Sequence, residues 1–281
     1  MMDNLSFITD EYSDSIDEAI TFAVEAGINL IELRTANKRN LLDFPMDELK
    51  DIAKKIKNHN LCVSCLASPL LKWHPDHIEG LKIENARFHS FKYNKAPKSD
   101  VYQKAFEIAD LFQTQFIRIF SYLMYPGFQV DDLMSDVELL IHLACQYDKT
   151  LLIENEPVCN IDKLGKLYEF VTLINSPRVC ALVDVGNLYE MGHHVDYDDL
   201  KRLAPFIRYL HIKDYSIDLG QYVTVGDGDV DVKEYFQELS RFVNLRQLPI
   251  SLETHVREEK KVATERSIKY VKDVFDTLNI S

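Results

Sequence analysis

The sequence predicts an α/β protein folded as a single (β/α)8 TIM barrel. Three observations point there. Short apolar runs alternate with amphipathic stretches from end to end, eight of each. No shift in composition marks a linker between domains. A doubly wound sheet would want a glycine-rich phosphate turn after its first strand, and Thr9-Asp10-Glu11-Tyr12-Ser13 stands there instead. Eight units within 281 residues suit one barrel.

Leu5 to Ile8 is the first strand. Ser15 to Ala26 carries a helical stripe of Ile16, Ala19, Ile20 and Ala23, and Gly27 follows where a left-handed cap belongs. Ile28 to Leu33 is the second strand, with Glu32 and Arg34 near its end. Met46 to Asn58 is the next helix and Leu61 to Ala67 the third strand. Cys62 and Cys65 have CxxC spacing, but residues three apart on a strand face opposite sides, so they read as core thiols. Residues 68–98 break the rhythm. That stretch is long and aromatic, and holds Trp73, His74, His77 and His89. It is expected to be an extended loop or insertion over the C-terminal face of the barrel, or a helical piece that packs or makes a dimer contact.

Ser99 to Gln113 returns to a helix, and Phe116 to Phe120 is the fourth strand. After the helix from Asp131 to Tyr147, the fifth strand, Leu151-Leu152-Ile153, runs into Glu154-Asn155-Glu156-Pro157. Asn160 is a plausible cap for a helix to Ile174. Val179 to Val183 ends in Asp184-Val185-Gly186-Asn187. A short helix, Asp198 to Leu203, leads to Ile207 to Leu210, which ends in His211-Ile212-Lys213-Asp214. Asp231 to Phe242 is a helix, Pro249 to Leu252 ends in Glu253-Thr254-His255, and Thr264 to Leu278 closes the chain.

Chemistry collects at the C-terminal ends of barrel strands. Glu154, Asp184, His211 and Glu253 end four successive strands, so the ring brings them together. Three carboxylates and an imidazole would repel unless a cation sits among them. Mixed oxygen and nitrogen donors suit one divalent ion: Mn²⁺, Zn²⁺, Co²⁺ or Mg²⁺. Glu156 shares the face of Glu154, Lys213 that of His211, and His255 that of Glu253; each is a candidate substrate contact. Arg34, Lys72 and Arg118 are further candidates for an anionic group. Asp227, Asp229 and Asp231 mimic a calcium loop, but the glycine position is Val232 and no helix leads in. Gly226 and Gly228 are better explained by a tight turn or a close approach to a ligand.

The ordered set LLIENEP (151–157), ALVDVGN (181–187), LHIKD (210–214), VGDGDVD (225–231) and SLETH (251–255) resembles the xylose isomerase-like TIM-barrel superfamily. IELR (31–34), SPLLK (68–72) and IRIFS (117–121) resemble more weakly its sugar phosphate isomerase/epimerase branch. The resemblance spans the chain in order and spacing. It implies that Glu154, Asp184, His211 and Glu253 hold one divalent metal. It also implies that Glu154 and Glu253 act as base and acid on opposite faces of a sugar, through a metal-stabilised enediolate. Asn187 stands where some relatives place a histidine, and its amide can still bond a sugar hydroxyl. The chain departs from the branch at Ile153 and Pro157, where histidine and lysine are common, which bears on the substrate more than the metal.

The resemblance therefore implies a metal-dependent sugar or sugar phosphate isomerase or epimerase. A dehydratase of the inosose or dehydroshikimate type, or a non-catalytic sugar- or metal-binding barrel, stands as the alternative. DNA endonuclease chemistry in this superfamily needs more histidines than this pattern supplies, and a net charge of −13 repels nucleic acid. The partner is thus a small sugar-like molecule, not nucleic acid or membrane, and a homodimer or higher homo-oligomer stays open. No apolar run approaches a membrane span, and no basic region precedes an apolar one at the N-terminus. Five cysteines, sparse and odd in number, suit a reducing cytoplasm.

Overall fold

A computed structural model of the chain describes residues 2–75, 78, 91 and 97–278. Eight parallel strands form the barrel: β1 (Leu5–Phe7), β2 (Leu30–Leu33), β3 (Cys62–Leu70), β4 (Phe116–Ile119), β5 (Thr150–Glu154), β6 (Val179–Asp184), β7 (Ile207–Ile212) and β8 (Ile250–Leu252). Each pairs with the next in sequence from β2 to β8, and β8 pairs back onto β1. A single parallel bridge, Ile8 to Glu32, joins the remaining edge, so the ring is nearly closed. This is the (β/α)8 barrel the alternating pattern predicts.

The strands are almost wholly buried because helices cover one face and the barrel interior the other. Side chains alternate, so every second residue points inward. At the lower level Cys65, Leu152, Cys180, Leu182 and Tyr209 fill the barrel with an apolar plug. One level up, the inward positions become Glu32, Glu154, Asp184 and His211. The change from plug to polar layer is what places a site at the top of an otherwise dry core.

Several local expectations need correction. β3 continues through Ser68, Pro69 and Leu70, so the atypical segment begins inside a strand, and the helix after it starts at Lys98. Most of the 68–98 insertion, with His77 and His89, lies outside the described residues. Asn160 does not cap a helix. The helix starts at Leu164, after Lys163. The Asn160 amide instead donates to the carbonyls of Ser121, Tyr122 and Leu123, tying the loop after β4 to the loop after β5. A short helix, Val185–Glu190, directly follows β6 and was not expected; the Asp184 carboxylate caps it by accepting from Asn187 N (3.1 Å). Thr9–Tyr12 is also a helical turn. Gly27 takes the predicted left-handed conformation, φ 62°. Among the described residues no helix is long and apolar enough to cross a membrane.

Gly186 shows how tightly the top of the barrel is built. A Cβ there would lie 2.2 Å from Lys213 Cγ and 2.8 Å from the Lys213 carbonyl oxygen. The carbonyl cannot move without disturbing β7. Gly186→Ala is expected to destabilise the fold by about 1–3 kcal/mol, as overpacked cores do; urea unfolding followed by circular dichroism would measure it.

Candidate metal centre and active site

Glu154 and Asp184 are the last residues of β5 and β6, His211 is the next to last of β7, and Glu253 directly follows β8. The ring brings all four together. One donor atom from each lies within 4.8 Å of the others. His211 Nδ1 is 3.3 Å from Glu154 Oε1, 3.2 Å from Glu253 Oε2 and 3.8 Å from Asp184 Oδ2. All four are buried.

The cluster is strongly charged. Glu11, Glu32, Glu154, Asp184 and Glu253 are buried acids, against Arg34, Arg118 and Lys213 as buried fixed cations. Five acids thus face three fixed cations and the His211 imidazole. Glu154 Oε2, Asp184 Oδ2 and Glu253 Oε2 are buried and receive no aligned hydrogen bond. Lys213 Nζ lies 2.9 Å from Asp184 and 3.0 Å from Glu253, and Arg118 Nη1 lies 3.1 Å from Glu154, but none of these contacts has hydrogen-bond alignment. A buried carboxylate oxygen without a donor is costly. Three such oxygens and one imidazole nitrogen, around a net negative centre, fit a divalent cation.

The charges set the protonation states. Burial pushes the Glu154 carboxyl up, but Arg118 and His211 outweigh it and hold the group at about 2. Burial raises Asp184, and Glu154 and Glu253 beside it add to the rise despite Lys213, leaving it at about 7. Burial disfavours the His211 imidazolium, yet Glu32 and Glu154 push its pKa well above the usual histidine range. Glu253 is held well below the carboxylate range: Lys213 and His255 overcome its burial.

A cavity of about 970 Å³ adjoins the cluster through His255, which lies 3.0 Å from Glu253, though none of the four ligand candidates is in its lining. Arg34, Lys72, Glu156, Asn187, Tyr222 and His255 are among its walls. Of the candidate substrate contacts, these include Arg34, Lys72, Glu156, Asn187 and His255. Lys213 and Arg118 are not in its lining and are buried beneath, against the carboxylates. Arg34 lines the cavity but is bound from below by Glu253 and from the side by Asp10 and Glu11. Lys72 pairs with Glu156 at 3.1 Å. Asn187 is fixed by donating to Asn155 O (2.8 Å) and accepting from the Tyr222 hydroxyl (3.0 Å). His255 has a left-handed backbone, φ 54°, fastened by its N–H to Glu11 Oε2 (2.7 Å). Its Nε2 is 3.0 Å from Glu253 Oε1. Glu11, Glu253 and His255 also have donor atoms close enough for a cation, but the Arg34 guanidinium already bonds both glutamates.

Residue-level reading of the sequence missed Glu11 and Tyr222, and gave Glu32 no role. Glu32, next to last on β2 as His211 is on β7, carries the same signal as the ligand candidates, whereas Glu11 lies on the helical turn after β1. The Asp227–Asp231 loop does not form a cation cage. Gly226 and Gly228 donate their N–H groups to Asp214 Oδ2, each at 2.9 Å, and a Cβ on Gly228 would lie 2.3 Å from Asp214 Oδ1. Those glycines permit a close approach to a carboxylate of the chain itself.

The family model described as xylose isomerase-like TIM barrel matches residues 20–274. The chain belongs to this family. Its fold is similar to that of the IolI protein with a bound zinc atom: TM-score 0.76, 17% identity, 98% of this chain and 99% of that one covered. A D-tagatose 3-epimerase-like protein superposes with TM-score 0.74 at 13% identity, covering 98% of each chain. The probable 3-DHS dehydratase AsbF from Bacillus anthracis gives TM-score 0.71 at 18% identity, covering 96% of this chain and 98% of that one. At these identities the likeness is one of fold. Among curated proteins, none matches the chain.

Proposed function

We propose that the protein is a divalent-metal-dependent isomerase or epimerase of a sugar or sugar phosphate. The observation that carries this reading is the convergence of Glu154, Asp184, His211 and Glu253 on one buried point, with three carboxylate oxygens lacking aligned donors. A divalent ion held there supplies Lewis-acid polarisation of a carbonyl, which acidifies the neighbouring C–H. The chain's own residues do the rest. Glu154 and Glu253 come from the strands flanking β6 and β7, and one removes the proton while the other returns one. Return to the same carbon from the other face gives an epimer, and return to the neighbouring carbon gives an isomer.

The surrounding cations act in this scheme as orienting groups. Arg118 and Lys213 fix the glutamate carboxylates from below, and Arg34 fixes Glu253 from the cavity side. Asn187, Tyr222, His255 and the Lys72–Glu156 pair present hydrogen-bonding groups to sugar hydroxyls at the cavity wall.

The test is solvent exchange. Purified protein with Mn²⁺, or with EDTA, is incubated in D₂O with a panel of ketoses, inososes and sugar phosphates. Deuterium is expected at a carbon next to a carbonyl in the Mn²⁺ samples only. Net loss of water from a substrate would move the protein to the dehydratases. Tight metal binding with no exchange into any compound would leave a binding barrel and refute the proposal.

A further inference from the structure

His211 is gripped on both sides of its ring, and only one side belongs to the metal cluster. Its Nδ1 faces Glu154, Asp184 and Glu253. Its Nε2 faces away, 3.1 and 3.0 Å from the two oxygens of Glu32. Glu32 sits on β2, wholly buried, across the barrel from β7. It is itself held: the Tyr209 hydroxyl donates to Glu32 Oε2 at 3.0 Å. Tyr209 and His211 lie two apart on β7 and so share the inward face. Below them the Ser64 hydroxyl is 2.8 Å from the Tyr209 oxygen, and donates to Ile31 O at 3.2 Å. Ser6 Oγ is 3.0 Å from Ser64 Oγ. A chain of polar groups thus climbs through the barrel interior and ends on the back of the imidazole.

We propose that Glu32 is a positioning residue for the metal centre, and that Tyr209 is its support. The inference rests on the metal-centre reading above. Glu32 accepts the Nε2–H of His211, which fixes the tautomer that leaves the Nδ1 lone pair directed at the ion. The carboxylate charge also raises the electron-donating power of Nδ1. Burial makes the arrangement rigid: neither Glu32 nor Tyr209 has water to turn to. Glu32 is not in the cavity lining and pairs with none of the other three ligand candidates, so its direct contact with the centre is His211, while its charge also reaches Arg118 beside Glu154.

The experiment measures Zn²⁺ and Co²⁺ affinity by competition with a chromophoric chelator, on wild type, Glu32→Ala, Glu32→Gln and Tyr209→Phe. Removing such an outer partner of a metal-bound histidine lowers metal affinity by about 10–100-fold. Glu32→Ala is expected in that range. Glu32→Gln keeps an acceptor but loses the charge and is expected to fall between it and wild type. Tyr209→Phe leaves the carboxylate in place and is expected to lose a few-fold. The visible bands of the Co²⁺ forms should shift in Glu32→Gln, which a purely structural role would leave unchanged. Wild-type affinity and an unshifted Co²⁺ spectrum in folded Glu32→Gln overturn the proposal, and they decide it even if Glu32→Ala does not fold. Wild-type protein that binds neither ion overturns the metal-centre reading and this inference with it.

Discussion

Glu154→Gln and Glu253→Gln are each expected to lower metal-dependent solvent exchange by about 10²–10⁴-fold, the usual contribution of a positioned acid or base. Glutamine keeps the shape of the side chain and one oxygen donor, but it cannot take or return a proton. The two variants should differ in their side effects. Glu253 touches Arg34, Arg118, His211, Lys213 and His255. Removing its charge leaves three buried cations, Arg34, Arg118 and Lys213, with one partner fewer, so Glu253→Gln should also lose stability. Among the described residues Glu154 pairs with Arg118 and His211. Its variant should therefore isolate the proton-transfer role more cleanly. Exchange rates from deuterium incorporation, read beside metal affinity for each variant, separate lost chemistry from lost metal. Exchange within a few-fold of wild type in either variant would falsify the acid–base assignment.

The ends of β5 to β8 are legible in the sequence because each passes abruptly from apolar residues to an ionisable one. Leu151-Leu152-Ile153 before Glu154 leaves little doubt about which residue tops the strand. The same abruptness is missing at β1. Glu11 sits on a helical turn, Thr9–Tyr12, beyond the strand. Glu32 is next to last on β2, between Ile31 and Leu33 as His211 is between Leu210 and Ile212, so position alone does not tell it from a ligand candidate. What those two acids do depends on partners far away in sequence: Arg34 and His255 for Glu11, Tyr209 and His211 for Glu32. Local pattern carries no information about such pairs. Burial is hidden for the same reason. Arg118 and Lys213 look in sequence like cations free to hold a substrate, and only the closed ring shows that acids already surround them. Asn160 is a similar case, since an asparagine before an apolar stripe reads as a cap until three carbonyls from the previous loop arrive.

Metal is expected to stabilise the fold, and more so as pH rises. At about 100 times its dissociation constant an ion that binds only the folded chain adds about 2.7 kcal/mol. For a protein of this size that is a melting-temperature rise of about 4–5 °C. The pH dependence follows from His211 and Asp184. Both have folded pKa values raised above their ordinary ones: His211 well above 6.5, and Asp184 from 3.8 to about 7. A raised folded pKa means the folded metal-free chain holds more protons than the unfolded chain, so its stability falls as pH rises. For Asp184 the loss runs from its unfolded value up to about 7. For His211 the stabilisation is complete below 6.5 and is lost as pH climbs through the raised folded value. Glu154 and Glu253, shifted down, act in the opposite sense, but only in acid, where they would lose their charge. An ion must displace the protons on His211 and Asp184 to bind, so its affinity climbs over the same range in which the metal-free fold weakens. The gap between melting temperatures with Mn²⁺ and with EDTA should therefore widen from about pH 6.5 to about pH 8, with proton release seen on titrating the ion in weakly buffered solution. A gap that stays constant or narrows over that range would mean that the ion does not sit against His211 and Asp184.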